Sequence, residues 1–185
     1  MGTKRIVRIS YFTMLTIVGA LFHVPFFGTP VDYTLQAVFA VIAGMMLGSI
    51  DGALSQLLYL VLGLLGLPVF TKGGGFSYVF QPTFGYLLSL PVAAFLAGKL
   101  IGKKSLSPWR SFLCAFAALL LLYAIGIPYQ VLIYLFREKY ALAAAFKTVP
   151  SVLIMLCIDK LVLWLFCLVY PRARSLIGRT DEISA

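Results

Sequence analysis

Apolar runs close to 20 residues long recur through this chain, and they constrain its fold more than any other feature. A helix of about 20 apolar residues crosses the roughly 30 Å hydrocarbon core of a bilayer. Apolar residues make up 62% of the sequence and charged residues only 11%, which is typical of membrane proteins. The sequence therefore predicts an all-α membrane protein, a six-transmembrane-helix bundle with structured outer loops that forms a single domain over residues 1–185. The expected helices span about residues 10–24, 34–47, 53–65, 83–100, 109–127 and 149–170.

The net charge of +9 comes from cations scattered at the ends of the apolar runs, so we expect no nucleic-acid partner. With the N-terminus in the cytoplasm, the inner side would hold Lys4, Arg5, Arg8, Lys99, Lys103, Lys104, Arg110, Arg172, Arg174 and Arg179. The outer side would hold only Lys72, Arg137, Lys139 and Lys147. This bias predicts a multi-pass protein of the cytoplasmic membrane with both termini in the cytoplasm.

The sequence lacks the usual arrangements of catalytic and metal-binding residues. His23 is the single histidine, and Cys114, Cys157 and Cys167 lie in apolar runs without metal-ligand spacing. No GxxxxGK[ST] phosphate-binding motif occurs. We therefore expect packing roles for the cysteines, an interfacial His23, no metal or cofactor, and no enzymatic activity, ATP hydrolysis included.

The stretch LPVFTKGGGFSYVFQPTFGYLL, residues 67–88, interrupts the apolar helices with glycines, prolines and aromatic residues. Glycine permits close backbone approach, and proline ends regular structure. We interpret this stretch as a folded lid or pocket wall at the outer face. The alternative is an interfacial loop whose aromatic side chains lie among the lipid headgroups. Residues 129–147, beyond the expected break at Gly126 and Pro128, are predicted to form a re-entrant or interfacial piece.

Asp159 and Lys160 form the one charged pair deep in a predicted membrane helix. A charge at the bilayer centre costs roughly 2.5–3.5 kcal/mol on insertion scales, so two adjacent charges need a reason. Neighbouring residues on a helix point about 100° apart, so each can reach a different partner. One hypothesis is that they hold the polar ends of a small ligand. The other is that they pair with Gln36, Gln56 or tyrosines and hold the helices in register.

Thr16, Gly19 and Ala20 form a small-residue face on the first predicted helix, where another helix can approach closely. The sequence leaves open whether that face serves internal packing or an external partner.

Several motifs together resemble the BioY family, the biotin-specific substrate-binding subunits (S components) of energy-coupling factor (ECF) transporters. They are TLQ at 34–36, the run AGMMLGSIDGALSQLLYLVLGLLGLPVF at 43–70, the following GGG, and QPTFGYLLSLPVAAFLAGKL at 81–100. The similarity is continuous over about residues 31–102. The resemblance implies six transmembrane helices, an outward-facing biotin site, and partners consisting of a transmembrane scaffold subunit and two cytoplasmic ATPase subunits.

The resemblance to this family also implies roles for particular residues. Asp159 is suited to accept the ureido N–H groups of biotin, and Lys160 to meet the ureido oxygen or the carboxylate. Backbone amides of the glycine run, aromatic rings and the TLQ glutamine complete the expected ligand-binding set: Asp159, Lys160, Gly73, Gly74, Tyr86, Gln36, Phe70 and Trp164. Thr16 and Ala20 are the expected contacts to the scaffold.

Three departures from the family pattern stand out. VDYTLQ replaces the usual VPFTLQ, which places Asp32 and Tyr33 at the mouth of the expected site. QPTFGY replaces GPTGGY, and Asp159 and Lys160 are adjacent instead of one turn apart.

Two alternative functions stay open for this sequence. The chain could be an S component for another vitamin, or a non-catalytic membrane assembly subunit.

Overall fold

The computed structural model describes residues 2–25, 32–102, 107–137 and 141–183, and it confirms a mostly helical chain. Within these ranges lie six α-helices, in the order α1 (Thr3–Leu21), α2 (Gln36–Leu47), α3 (Ser49–Leu64), α4 (Phe84–Ile101), α5 (Pro108–Arg137) and α6 (Ala141–Ile183). Two short antiparallel strands, β1 (His23–Pro25) and β2 (Asp32–Thr34), follow α1, and a 3-10 helix (Phe76–Phe80) lies in the α3–α4 loop, residues 65–83.

Three segments are long and apolar enough to cross a membrane: Phe84–Ile101, Pro108–Phe136 and Ser151–Arg174. α2 and α3 are apolar but shorter, and the first turns of α1 carry Lys4, Arg5 and Arg8. The chain is therefore a multi-pass membrane protein, while the expected number of six crossings remains a prediction.

The first helix begins and ends earlier than expected, at Thr3 and Leu21 instead of 10 and 24. The reason at its C-terminal end is the β1–β2 hairpin, in which His23 pairs with Thr34 and Pro25 with Asp32. β2 likewise delays the start of the second helix from residue 34 to Gln36.

The tight α2–α3 connection is shorter than the sequence suggests. Gly48, with φ of 88°, alone separates the two helices, so most of the expected GSIDG link is already the first turn of α3. The helices then run very close together, because a Cβ atom on Gly52 would lie 2.6 Å from the Cα of Gly44.

The predicted break at Gly126 and Pro128 is wrong, because α5 continues through both residues to Arg137. Proline is tolerated inside membrane helices, where neighbouring groups can satisfy the freed carbonyl. Gly126 serves packing instead, since a Cβ atom there would overlap the ring of Tyr86. The predicted re-entrant piece is therefore divided between the end of α5 and the start of α6, with residues 138–140 outside the described part. α6 also continues past Pro171.

Small residues bring the central helices together around α4, which packs against α2, α3 and α5. Ala93, Ala94 and Ala97 are fully buried, and a Cβ atom on Gly44 would overlap the Ala94 carbonyl group. Such close contacts favour association of helices in lipid. Of the cysteines, Cys167 is buried and Cys114 half-buried, whereas Cys157 is exposed and its predicted packing role is wrong. His23 is exposed in β1.

We expect Gly44→Ala to lower the thermal stability of the purified protein in detergent, because the added methyl group has no space beside the Ala94 carbonyl. Overpacking of this kind costs about 1–3 kcal/mol. Ala117→Val is the matched control, since Ala117 lies on the exposed face of α5. Equal melting temperatures for the two variants would contradict the close α2–α4 contact.

Candidate functional site

A cavity lies where β2, the α3–α4 loop and four helices meet. Its polar lining comes from Asp32, Tyr33, Thr34, Gln36, Thr71, Lys72, Tyr78, Thr83, Tyr86, Tyr123 and Asp159. Its apolar lining comes from Ala37, Leu87, Leu90, Leu122, Val152 and Met155. A cavity that combines apolar walls with converging polar groups is the usual form of a small-molecule site.

Asp159 is the buried charge of this cavity, with 1% of its surface exposed. Its Oδ1 accepts a hydrogen bond of 2.9 Å from the Tyr33 hydroxyl, and its Oδ2 accepts one of 2.8 Å from the Tyr123 hydroxyl. Two phenols from different elements therefore fix the orientation of the carboxylate. Each carboxylate oxygen has two lone pairs, so both can still accept N–H groups of a ligand.

The first of these phenols, Tyr33, lies in β2 beside the cavity. Burial, together with the negative charge and hydrogen bonding of Asp159, raises the pKa of Tyr33. The phenol therefore stays protonated at neutral pH and acts as a donor to the carboxylate.

The structure does not bring Lys160 to the cavity, although Lys160 follows Asp159 directly. Lys160 is exposed on the surface of α6 and is not a lining residue. The angle of about 100° between successive helix positions explains the separation, because one of two neighbours must turn away when the other points into the bundle. The expectation that the pair holds both ends of a ligand is not supported by this placement.

The glycine run does not line the cavity either. The Gly73 N–H donates to the Phe70 carbonyl at 3.1 Å, and Gly73 in turn accepts from the Phe70 N–H at 2.9 Å. A Cβ atom on Gly74 would overlap the Leu67 carbonyl. These glycines close a tight turn, with φ of 107° at Gly73, and the turn presents Thr71 and Lys72 to the cavity.

Phe70 anchors this turn and is not among the residues that line the cavity. Its ring is 1% exposed and lies 5.4 Å from the ring of Tyr59 and 4.7 Å from that of Tyr78, measured between centroids. A Cβ atom on Gly63 would overlap the Phe70 ring, so α3 has a notch that receives it.

Trp164 also lies outside the cavity lining. Its ring packs 5.5 Å from Trp109 and 5.1 Å from Phe112, near the start of α5. That end of α5 is the one opposite to the cavity, so Trp164 packs the two helices together and does not reach the site.

Besides Asp159, two more of the predicted ligand contacts, Tyr86 and Gln36, line the cavity. The Tyr86 hydroxyl donates to Gln130 Oε1 at 2.7 Å. Gln36 Nε2 donates to the Tyr59 hydroxyl at 2.5 Å, and Tyr59 donates to the Val69 carbonyl at 3.1 Å. Gln36 thus connects α2 to α3 and to the start of the α3–α4 loop.

Thr16 and Ala20, the predicted scaffold contacts, are fully buried inside the bundle. Thr16 Oγ1 donates to the Phe12 carbonyl at 3.0 Å and lies 3.2 Å from Gln56 Oε1 of α3. Their assignment to an external partner is wrong, because the small-residue face packs against the other helices of the chain.

Sequence reasoning missed Tyr123 and Lys72. Tyr123 is a polar group within a long apolar run, and that is a signal of an intramembrane function. Asp32 and Tyr33 stood out in the sequence only as departures from a family pattern. Nothing in their spacing indicates that Asp32 contacts Lys72 or that Tyr33 contacts Asp159.

Comparison with known proteins gives four informative matches. Residues 1–179 match the model of the BioY family. A "probable biotin transporter BioY" from Lysinibacillus sphaericus is 44% identical over 129 residues, which cover 69% of this chain and 65% of that protein. A protein of the same description from Pyrococcus horikoshii is 35% identical over 153 residues, which cover 82% of this chain and 90% of that protein. The crystal structure of an S-component for biotin from an ECF-type ABC transporter has the same fold, with a TM-score of 0.71, 24% identity and 95% coverage of each chain.

We expect Tyr123→Phe to destabilise the protein in detergent, because Asp159 would lose one of its two donors. A lost hydrogen bond to a buried charge costs about 1.5–3 kcal/mol. The loss should shrink when Asp159 is already replaced by leucine, in a double-mutant cycle of melting temperatures. Tyr11→Phe is the control, since Tyr11 is 59% exposed on α1. Additive effects of the Tyr123 and Asp159 substitutions would contradict the contact.

Proposed function

The chain belongs to the BioY family, and from this premise we propose that it is the biotin-binding membrane subunit of an ECF-type vitamin importer. It captures biotin at the outer face of the membrane and delivers it inward. A separate transmembrane scaffold subunit and two cytoplasmic ATPase subunits act with it. The chain itself is not an enzyme in this proposal, since its partners hydrolyse the ATP.

The buried carboxylate of Asp159 is the single observation that carries the proposal. Biotin has a ureido ring with two N–H donors, and Asp159 has acceptor capacity left beside its two phenol donors. Hydrogen bonds to a charged acceptor are about twice as strong as neutral ones. Each further donor stabilises a buried carboxylate, so a ligand that brings two donors is favoured over one that brings none.

The rest of the cavity matches the apolar parts of biotin. Leu87, Leu90 and Leu122 from α4 and α5 form one wall, and Val152 and Met155 from α6 form another. Such side chains suit a thioether ring and the methylene groups of a valerate chain. Tyr86 and Tyr123 contact each other edge to face, with ring centroids 5.8 Å apart, and add aromatic surface.

The proposed topology has six crossings with both termini in the cytoplasm. Support comes from the cations at the start of α1 and at the end of α6, which include Arg5, Arg172 and Arg174. In this orientation α1 and α5 run outward, whereas α2, α4 and α6 begin at the outer face. β2 and the first turns of α2 and α4, which border the cavity, then lie on the side from which biotin arrives.

We expect Asp159→Asn to weaken biotin binding by more than about tenfold, because the amide replaces an acceptor with a donor that faces the ureido N–H groups. The loss of one charged hydrogen bond, about 1.5–3 kcal/mol, corresponds to tenfold or more in Kd. Isothermal titration calorimetry on detergent-purified protein, freed of bound ligand, measures the change.

Asp51→Asn is the matched control for this substitution. Asp51 pairs with Arg5 at 2.5 Å between α3 and α1, at the opposite end of the bundle from the cavity. Its replacement should leave the Kd for biotin unchanged. Wild-type affinity in Asp159→Asn would remove Asp159 from the site, and a wild-type protein that binds another vitamin but not biotin would overturn the assigned ligand.

A further inference from the structure

An ion pair lies across the cavity lining, at a distance from Asp159. Lys72 Nζ is 3.7 Å from Asp32 Oδ2, and both residues line the cavity. The Lys72 side chain is 46% exposed and that of Asp32 is 17% exposed, whereas Asp159 is almost fully buried. The cavity therefore has a buried anionic end and an exposed end that carries a cation.

The backbone around Lys72 is firmly supported. Two hydrogen bonds between Phe70 and Gly73 close the turn that contains it, and the Gly75 N–H donates to the Gly63 carbonyl of α3 at 2.7 Å. The hydroxyl of Tyr78 lies beside the Lys72 backbone and the Thr83 hydroxyl. The position of Lys72 at the mouth is thus set by the fold, while its long side chain can exchange partners.

Asp32 is held on the other side of the mouth by β2. It pairs with Pro25 in the β1–β2 hairpin and directly precedes Tyr33, whose hydroxyl contacts Asp159. One three-residue strand thus contributes to both ends of the cavity. Asp159, Lys72 and Asp32 all line this one cavity, so a ligand that fills it can contact all three.

We propose that Lys72 binds the carboxylate end of the ligand. In the empty site Asp32 holds Lys72, and the ligand carboxylate then takes the place of Asp32 as its partner. The inference rests on the proposed function, which supplies a ligand with N–H donors at one end and an acid at the other. A partly exposed pair as wide as 3.7 Å contributes little to stability, so the exchange costs little. A ligand with an uncharged tail leaves the pair intact and gains nothing from Lys72.

This assignment gives Lys72 the role that the sequence suggested for Lys160. Lys160 is exposed on α6 and does not line the cavity, whereas Lys72 does. The inference also explains why an aspartate in β2 is compatible with an anionic ligand, because Asp32 competes for the cation only while the site is empty.

The test compares biotin with biotinamide, which has the same rings but an uncharged tail. Isothermal titration calorimetry on the full-length protein in detergent gives both Kd values for the wild type and for Lys72→Gln, Lys72→Arg and Asp32→Asn. Lys160→Gln and Lys99→Gln are the matched controls, since Lys99 lies in the last turn of α4, far from the cavity.

We expect the wild type to prefer biotin over biotinamide by about three- to fivefold, the effect of a partly exposed ion pair. Lys72→Gln should abolish this preference by weakening biotin alone, and Lys72→Arg should retain most of it. Asp32→Asn should bind biotin several-fold more tightly than the wild type, because the competing carboxylate is gone. Both control variants should keep the wild-type preference.

Three results would overturn the inference. A preference that persists in Lys72→Gln, or that disappears in Lys160→Gln, would place the acid end elsewhere. Equal wild-type affinity for biotin and biotinamide would show that the carboxylate of biotin does not contribute to binding. The proposed function would still stand. A wild type that binds neither compound would instead reject the proposed function, and the inference with it.

Discussion

The structure depends on a carboxylate that the chain keeps inside an apolar bundle. Asp159 lies in the apolar segment Ser151–Arg174 of α6 and is 1% exposed, and a charge in that position is costly unless it is hydrogen-bonded. The two phenols that contact it come from β2 and α5, so α6 is tied both to the helix before it and to a strand distant in sequence. The same contacts leave lone pairs directed at the cavity. The group that holds these elements together is therefore also the group best suited to receive a donor-bearing ligand.

Close helix packing is the second constraint, and it limits the space between the helices that border the cavity. Gly44 lets α2 lie directly against the backbone of α4, and Gly126 lets the ring of Tyr86 lie against α5. The helices touch at these points, and the cavity lies between them at the end of the bundle that β2 and the α3–α4 loop border. The α3–α4 loop then closes that end through the buried ring of Phe70, which fits against Gly63. The cavity is what remains between the helices and the loop.

Much of the fold follows from the sequence, because the lengths of apolar runs and the positions of tight links are local properties. The helical membrane fold and the importance of the loop after residue 65 are predictable in this way. Contacts that depend on how a helix is rotated, or on partners distant in sequence, are not predictable from the sequence. Adjacency on a helix does not show that Lys160 turns outward while Asp159 turns in. A proline signal does not show that neighbouring helices will stabilise α5 through Pro128, and a small-residue face does not show whether Thr16 meets its own chain or another. The motif resemblance pointed to some residues that line the cavity, such as Gln36 and Tyr86, but only the three-dimensional arrangement brings Tyr123 to the carboxylate.

The central claim is that the buried carboxylate receives the ureido group of biotin while the acid end lies near the mouth of the cavity. An experimental structure of the protein with bound biotin tests this claim most directly. The account predicts both ureido nitrogens about 2.7–3.2 Å from the Asp159 carboxylate oxygens, the range of an N–H···O hydrogen bond, with the valerate carboxylate next to Lys72. Biotin bound with its ureido ring away from Asp159, or outside the cavity altogether, would contradict it.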